Sequence, residues 1–313
     1  MRLRPKLVRY LSAFTTLTVL VLPNTLLGDE EVDESLYQLA NRAISAGLSK
    51  LGNLGLKSLD GVEIQASAQR NEKPVFSIEA IKPISLTETD TYFWQGRIAS
   101  SSNDETVNLG LGYRYLTPSK SWMFGINAFA DQKLHHSHNR AGLGAEVFGE
   151  YFTFRANYYN AYSGKKTIKI ESSVSTTEEA LDGWDAELET PLPYLPWASL
   201  NIKTFEWNRE TIDNLSGSSG GLRLHIAEGL EIEAGVTDDN FSPKSEFIKL
   251  TWQLNTHEDA ALRPTLMNGF LADQALTPRD LESHRLEKVR RQNDVIVEKR
   301  TGGGVGLAVG RRS

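Results

Sequence analysis

The stretch "ETVNLGLGYRYLTPSKSWMFGINAFADQ", residues 105–132, puts an apolar side chain at every second position, breaks at Thr117-Pro118-Ser119-Lys120, and then repeats the pattern. Successive side chains of a strand point to opposite faces, so such a segment has one apolar and one polar face. In the first run Val107, Leu109, Leu111, Tyr113 and Tyr115 share a face, and Asn108, Gly110, Gly112 and Arg114 share the other. In the second, Trp122, Phe124, Ile126, Ala128 and Ala130 lie opposite Met123, Gly125, Asn127 and Asp131. A sandwich strand also alternates, so length decides. Both runs exceed the usual strand of about 5–6 residues and match the roughly 9–11 that cross a bilayer at a tilt.

Outward from this pair the period of two persists. It predicts strands near 58–68, 75–86, 90–100, 105–116, 121–132, 139–150, 151–162, 182–192, 198–208, 218–229, 230–240 and 244–255. This is an even set, as a closed barrel with both ends on one side requires. The connections sort as well. Thr87-Glu88-Thr89, Pro118-Ser119-Lys120, Glu150-Tyr151, Pro191 to Pro196 and Glu228-Gly229 are short, whereas Ser163 to Leu181 and Asn208 to Ser219 are longer and polar. Short turns at one end and long loops at the other describe an outer-membrane barrel, which pairs every backbone group internally and leaves no free edge in lipid.

The expected fold is therefore all-β, a twelve-stranded antiparallel transmembrane β-barrel over residues 58–255. Its polar face carries Arg97, Arg114, Arg140, Glu146, Arg155, Asp185, Glu187, Glu189, Arg223, Glu231, Glu233 and Lys249. Both signs are present, which fits mutual pairing across a narrow lumen and leaves selection of a charged solute as the alternative. Tyr92, Trp94, Tyr113, Tyr115, Trp122, Phe152, Trp184, Trp197 and Trp252 fall near strand ends, as interfacial girdles do.

The 313 residues carry a net charge of −6 and no cysteine, so the chain offers no basic footprint for nucleic acid, no disulfide and no thiolate metal site. Arg2, Arg4, Lys6 and Arg9 precede the apolar run Leu11 to Leu22, with Gly28 before an acidic stretch: a secretory signal peptide over residues 1–28. Leu36, Leu39, Ala40, Ala43, Ile44, Gly47, Leu48 and Leu51 then predict a short periplasmic amphipathic helix within 29–57. After the barrel, residues 256–300 have helix-forming composition, and Thr277-Pro278-Arg279-Asp280 is a helix-start signal. Arg279, Arg285, Lys288, Arg290 and Arg291 there are candidates to pair with lumen acids.

The motifs "NLGLGYRYL" (108–116), "GINAFADQ" (125–132), "HNRAGLGAEVF" (138–148), "ANYYNAYSG" (156–164), "DGWDAELETPLPYLP" (182–196) and "RLEKVRRQNDVIVEKR" (285–300) occur in that order. The chain resembles the inverse autotransporters, the family of intimin and invasin, over about residues 58–300. The resemblance implies a barrel that begins and ends in the periplasm and is inserted into outer-membrane lipid by the barrel-assembly machinery. It also implies a linker, containing Arg285, Lys288, Arg290, Arg291, Asn293 and Lys299, that returns through the lumen as a plug and carries a C-terminal passenger to the surface. Two departures stand out. Residues 29–57 are too few for the family's peptidoglycan-binding module, and residues 301–313, a Gly-rich tail, are too few for an adhesive domain.

No catalytic constellation emerges. His135, His136 and His138 form the histidine cluster, read as a solvated loop rather than a metal site, and Gly217, Gly220 and Gly221 lack the Gly-Lys-Ser/Thr of a phosphate loop. The expectation is a non-enzymatic translocator barrel without cofactor or metal, in the bacterial outer membrane. The alternatives are a passenger-less channel or structural barrel, or a protein that binds a surface or host-cell ligand through Ser163 to Leu181.

Overall fold

The computed structural model describes residues 62–70, 72–101, 104–171, 174–210, 212–254, 264–268, 271–302 and 304–306. The expected signal peptide and the helix within 29–57 lie outside the described residues.

The barrel is built from β1 (Val62–Gln69), β2 (Val75–Leu86), β3 (Asp90–Ser101), β4 (Asp104–Leu116), β5 (Trp122–Lys133), β6 (His138–Gly149) and β7 (Thr153–Ala161). Two strands outside it follow, β8 (Lys166–Glu171) and β9 (Val174–Ala180). The barrel resumes with β10 (Gly183–Leu192), β11 (Leu195–Trp207), β12 (Leu215–Ala227), β13 (Leu230–Asp239) and β14 (Ser245–Leu254). The order β1-β14-β13-β12-β11-β10-β7-β6-β5-β4-β3-β2 closes on itself, a twelve-stranded antiparallel barrel as the alternation predicts. Closure is made by β1 against β14, with Val62 opposite Leu254 and Gln69 opposite Phe247.

The two faces of the opening stretch separate as their chemistry requires. Leu111 is 60% exposed on the outer wall while Arg114 on the inner wall is 0% exposed. At the short-turn end Trp122 packs against Phe124 and Phe152, with ring centroids 6.3 and 5.7 Å apart, and Tyr92 against Tyr113 at 4.8 Å. The inward glycines of β4 have a packing reason. A Cβ on Gly112 would lie 2.1 Å from the Phe93 ring and one on Gly110 2.4 Å from Phe129, so both rings can lie flat against the wall only because it carries no side chain there.

Three expectations are corrected. Ser163 to Leu181 is not a plain loop: β8 and β9 form a hairpin, joined by β15 (Val297–Thr301) and β16 (Gly304–Gly306) in a second sheet of order β16-β15-β9-β8. The expected C-terminal linker helix is absent from the described residues. Asp280 does cap a start, its Oδ1 accepting from Glu282 N at 3.0 Å, but only a 3-10 turn over Leu281–His284 follows. From Lys288 to Ile296 the chain is neither helix nor strand, because its main-chain groups find partners on the barrel wall instead of on their own turn. Finally, His138 is fully buried rather than solvated.

Candidate functional site

Residues 279–301 run through the barrel from one mouth to the other, and three apolar sockets mark the route. Leu281 packs with Leu116, Met123 and Phe148 at the short-turn end. Val289, with Leu286, packs against Ile81, Phe93 and Phe129. Ile296 packs with Tyr159, Leu181, Trp207 and Leu215 at the long-loop end. Full burial of each such side chain stabilises by about 1.5–3 kcal/mol, so the sockets hold the segment before any charge is counted.

Between the sockets the wall binds main chain. Arg114 donates to the carbonyls of Arg285 and Glu287, at 3.0 and 2.5 Å. Asn157 donates to Arg290 O at 3.1 Å, Asn108 to Asn293 O at 2.8 Å, and Arg140 to Gln292 O at 2.6 Å and Asp294 O at 3.2 Å. In the other direction Val289 N donates to Gln95 Oε1 at 2.9 Å and Gln292 N to Tyr159 Oη at 2.7 Å. A buried segment without helical bonds needs such partners for its N–H and C=O groups.

The ionic contacts interleave with these. Arg291 Nη2 lies 2.6 Å from Asp131 Oδ2, and Arg140 Nη2 reaches the same oxygen at 2.8 Å. The Arg291 guanidinium sits 4.4 Å from the centroid of Phe129 and 5.2 Å from that of Tyr159. Arg290 binds Glu187 (2.7 Å) and Glu233 (3.1 Å), Lys288 binds Glu63 (3.0 Å), and Asp294 binds Arg97 (3.3 Å). Arg155 joins Glu187, Glu189 and Glu287 at 3.1, 2.9 and 2.6 Å, and Arg114 joins Glu146 at 2.9 Å. Arg223 reaches Glu189, Glu231 and Glu233 at 2.8, 3.3 and 3.4 Å, Lys249 reaches Glu233 at 3.6 Å, and Asp185 accepts from Tyr159 Oη at 2.7 Å. Arg285 and Arg279 act differently. Arg285 Nε donates to Thr91 Oγ1 at 2.8 Å, and Arg279 Nη2 to the carbonyls of Gly149 and Phe152 at 2.7 and 2.6 Å.

The segment follows the β2–β7 wall and leaves room opposite. A polar cavity of about 510 Å3 remains along β1 and β10–β14, where Glu63, Glu231, Arg223 and Lys249 line it. Wall residues absent from the expected set, Asp131, Asn108, Asn157, Gln95, Tyr159 and Glu63, make contacts as close as those within it. Their signal was the inward face of their strands, which Asn108 and Asp131 display in the opening stretch.

Beyond the long-loop mouth the emerging segment becomes β15 and pairs antiparallel with β9, Lys299 opposite Glu178. Glu178 is fully buried. Its Oε1 lies 3.1 Å from His136 Nδ1, 3.2 Å from His138 Nε2 and 3.8 Å from Lys133 Nζ, and its Oε2 lies 3.3 Å from Lys299 Nζ. Burial by itself pushes this carboxyl up, but His138, Lys133, His136 and Lys299 together outweigh it and hold Glu178 well below the usual carboxylate range. Two ammonium groups already supply the counter-charge of this carboxylate, which disfavours a divalent metal there.

The sequence matches the family described as inverse autotransporter, beta-domain, over residues 26–293. It is similar to a putative attaching and effacing protein homolog of Escherichia coli K12, 35% identical over 158 residues that are 50% of each chain. It is also similar to the inverse autotransporter adhesin YeeJ of the same strain, 24% identical over 83% of this chain and 11% of that one, and to intimin of Citrobacter freundii, 23% identical over 87% and 28%. The chain thus spans half or less of the length of these relatives. A membrane protein solved in work on in-meso crystallization shares the fold, with a TM-score of 0.63 and 20% identity, covering 76% of this chain and 99% of that one. The barrel belongs in the bacterial outer membrane. By the span of its match, the chain belongs to the inverse autotransporter beta-domain family.

Proposed function

We propose that this barrel delivers its own C-terminal segment to the cell surface and anchors it there, acting as a translocator without catalytic chemistry. One observation carries the reading: residues 279–301 pass from the short-turn mouth along sockets in the wall to the long-loop mouth, where they become a paired strand. On this reading the outer wall contacts outer-membrane lipid and the barrel-assembly machinery inserts it. A host-cell or surface ligand then belongs to whatever the C-terminus presents. An epitope tag after Ser313 tests it. Protease added to intact cells removes the tag and spares the barrel if the C-terminus is outside. A tag protected until the outer membrane is broken overturns the reading.

The cavity beside the threaded segment favours a second reading, a narrow channel. Planar-bilayer conductance separates the two. A translocator sealed by its segment stays nearly silent until residues 256–313 are deleted, whereas a channel conducts with the segment in place.

A further inference from the structure

The β8–β9 hairpin takes no part in the barrel. β7 pairs directly with β10, Tyr159 opposite Gly183, so the hairpin is an insertion above the wall. Within the hairpin β9 pairs with β8 on one edge and with β15 on the other. Leu181 N donates to Ile296 O and Gly302 N to Ser175 O, both at 2.9 Å. Those two bonds fix the phase of the ladder: 296/181, 298/179, 300/177 and 302/175 are the hydrogen-bonded pairs. Lys299 and Glu178 therefore form a non-hydrogen-bonded pair, the position at which opposing side chains approach most closely.

That pair sits among charged and polar groups of the barrel rim. Lys133 from β5 binds Asp104 at the start of β4 at 2.9 Å and faces Glu178; His138 from the start of β6 binds Ser163 Oγ through Nδ1 at 3.1 Å and faces Glu178 through Nε2; His136 faces it from the β5–β6 connection, with the His135 ring tilted against its own. Lys166, opposite Glu178 on β8, donates to Ser137 O at 2.7 Å instead, so Lys133 and Lys299 are the ammonium groups set on the carboxylate. Without a cation at position 299 Glu178 loses the nearer of those two, and an acid there puts two carboxylates side by side. The opposite face of the strand is also matched. Glu298, 1% exposed, is bonded by Arg300 Nε at 2.9 Å, and Arg300 Nη1 binds Glu210 of the β11–β12 connection at 3.1 Å.

We infer that the β8–β9 hairpin is a strand-acceptor site at the outer mouth, which binds an extended polypeptide on the edge of β9 that β8 does not occupy and selects one with a basic side chain opposite Glu178. Residues 297–301 are its ligand in cis. The backbone ladder supplies affinity without regard to sequence, and Glu178 supplies selectivity through a positioning role. The inference rests on the reading of residues 297–301 as the leaving end of the threaded segment.

Hydrogen–deuterium exchange of the full chain in lipid nanodiscs tests it, read at the amides of residues 297–301 in a series at position 299. K299R exchanges within about twofold of the native protein, K299Q about tenfold faster, and K299E faster still, the scale expected when a buried charge-assisted contact is lost. In an E178Q background Lys and Gln at 299 exchange alike. Equal exchange for the native protein, K299Q and K299E overturns the inference, as does undiminished discrimination in E178Q. Heat-modifiable migration checks that each barrel is folded. Should E178Q fail that check, the position-299 series decides alone, since Lys299 lies on the exit strand outside the wall. Exchange reads strand pairing whichever side of the membrane the tail occupies, so its outcome is separable from that of the epitope tag.

Discussion

Asp131 on β5 receives both Nη atoms of Arg291, at 2.7 and 2.6 Å, while Arg140 on the neighbouring strand takes one of the same oxygens. One carboxylate thus joins the barrel wall to the segment threaded through it, and all three side chains are buried.

The two sides of that contact differ in consequence. D131N leaves two buried guanidiniums without their shared counter-charge and costs about 3–5 kcal/mol. R291M leaves Asp131 still held by Arg140 and costs about 1–3 kcal/mol. Urea titrations in lipid vesicles rank the variants, and a larger loss for R291M than for D131N contradicts the arrangement.

The wall has two faces with different penalties. Leu111→Arg, on the lipid side of β4, costs roughly 2–4 kcal/mol near mid-bilayer. Gly112→Ala, on the lumen side of the next residue, costs about 1–3 kcal/mol through overlap with Phe93. Phe93→Leu recovers part of the second loss and none of the first. A neutral Leu111→Arg reverses the face assignment.

Main-chain recognition makes position 292 tolerant of side chains and intolerant of proline. Q292A stays within about 0.5 kcal/mol of the native protein. Q292P removes the N–H that Tyr159 Oη accepts, leaves a buried acceptor unmet, and costs about 1–3 kcal/mol. Comparable midpoints for the two variants in the same titration are incompatible with this account.

Glu178 sets an acid limit on the outer sheet. Its carboxyl is held below the ordinary value, so its contribution is present in full above the unfolded-state value of about 4.3 and is lost as the pH falls from there toward the lower folded value. The difference in β15 amide protection between the native protein and E178Q therefore shrinks as the pH falls below about 4. A difference that grows below about pH 4 contradicts the sign of the shift.

Much of the barrel was legible because a lipid face and a lumen face impose a strict period of two: β4 and β5 announce their faces residue by residue. The hairpin was not. β8, Lys166-Thr167-Ile168-Lys169-Ile170-Glu171, and the Thr- and Glu-rich β9 lie outside the membrane, so no hydrocarbon forces an apolar stripe on them, and the strand that completes their sheet is distant in sequence. The linker failed for a related reason. Leu, Glu, Lys and Arg between 281 and 291 favour a helix, but the partners that displace helical bonding, Gln95, Asn108, Arg114, Arg140 and Asn157, reside on strands whose arrangement around the segment no local pattern records. Asp280 shows how local signals kept their local meaning: the cap is real and the helix it announces is not continued.

The sockets at Leu281, Val289 and Ile296 sit at fixed heights on a rigid cylinder. The barrel is for that reason a gauge of contour length. A residue added between two sockets has to bow out into the space beside β10–β14, and one removed pulls an anchor from its seat. Slack is accommodated on one side of the tube and shortage nowhere, so the segment between Leu281 and Ile296 tolerates growth more readily than loss.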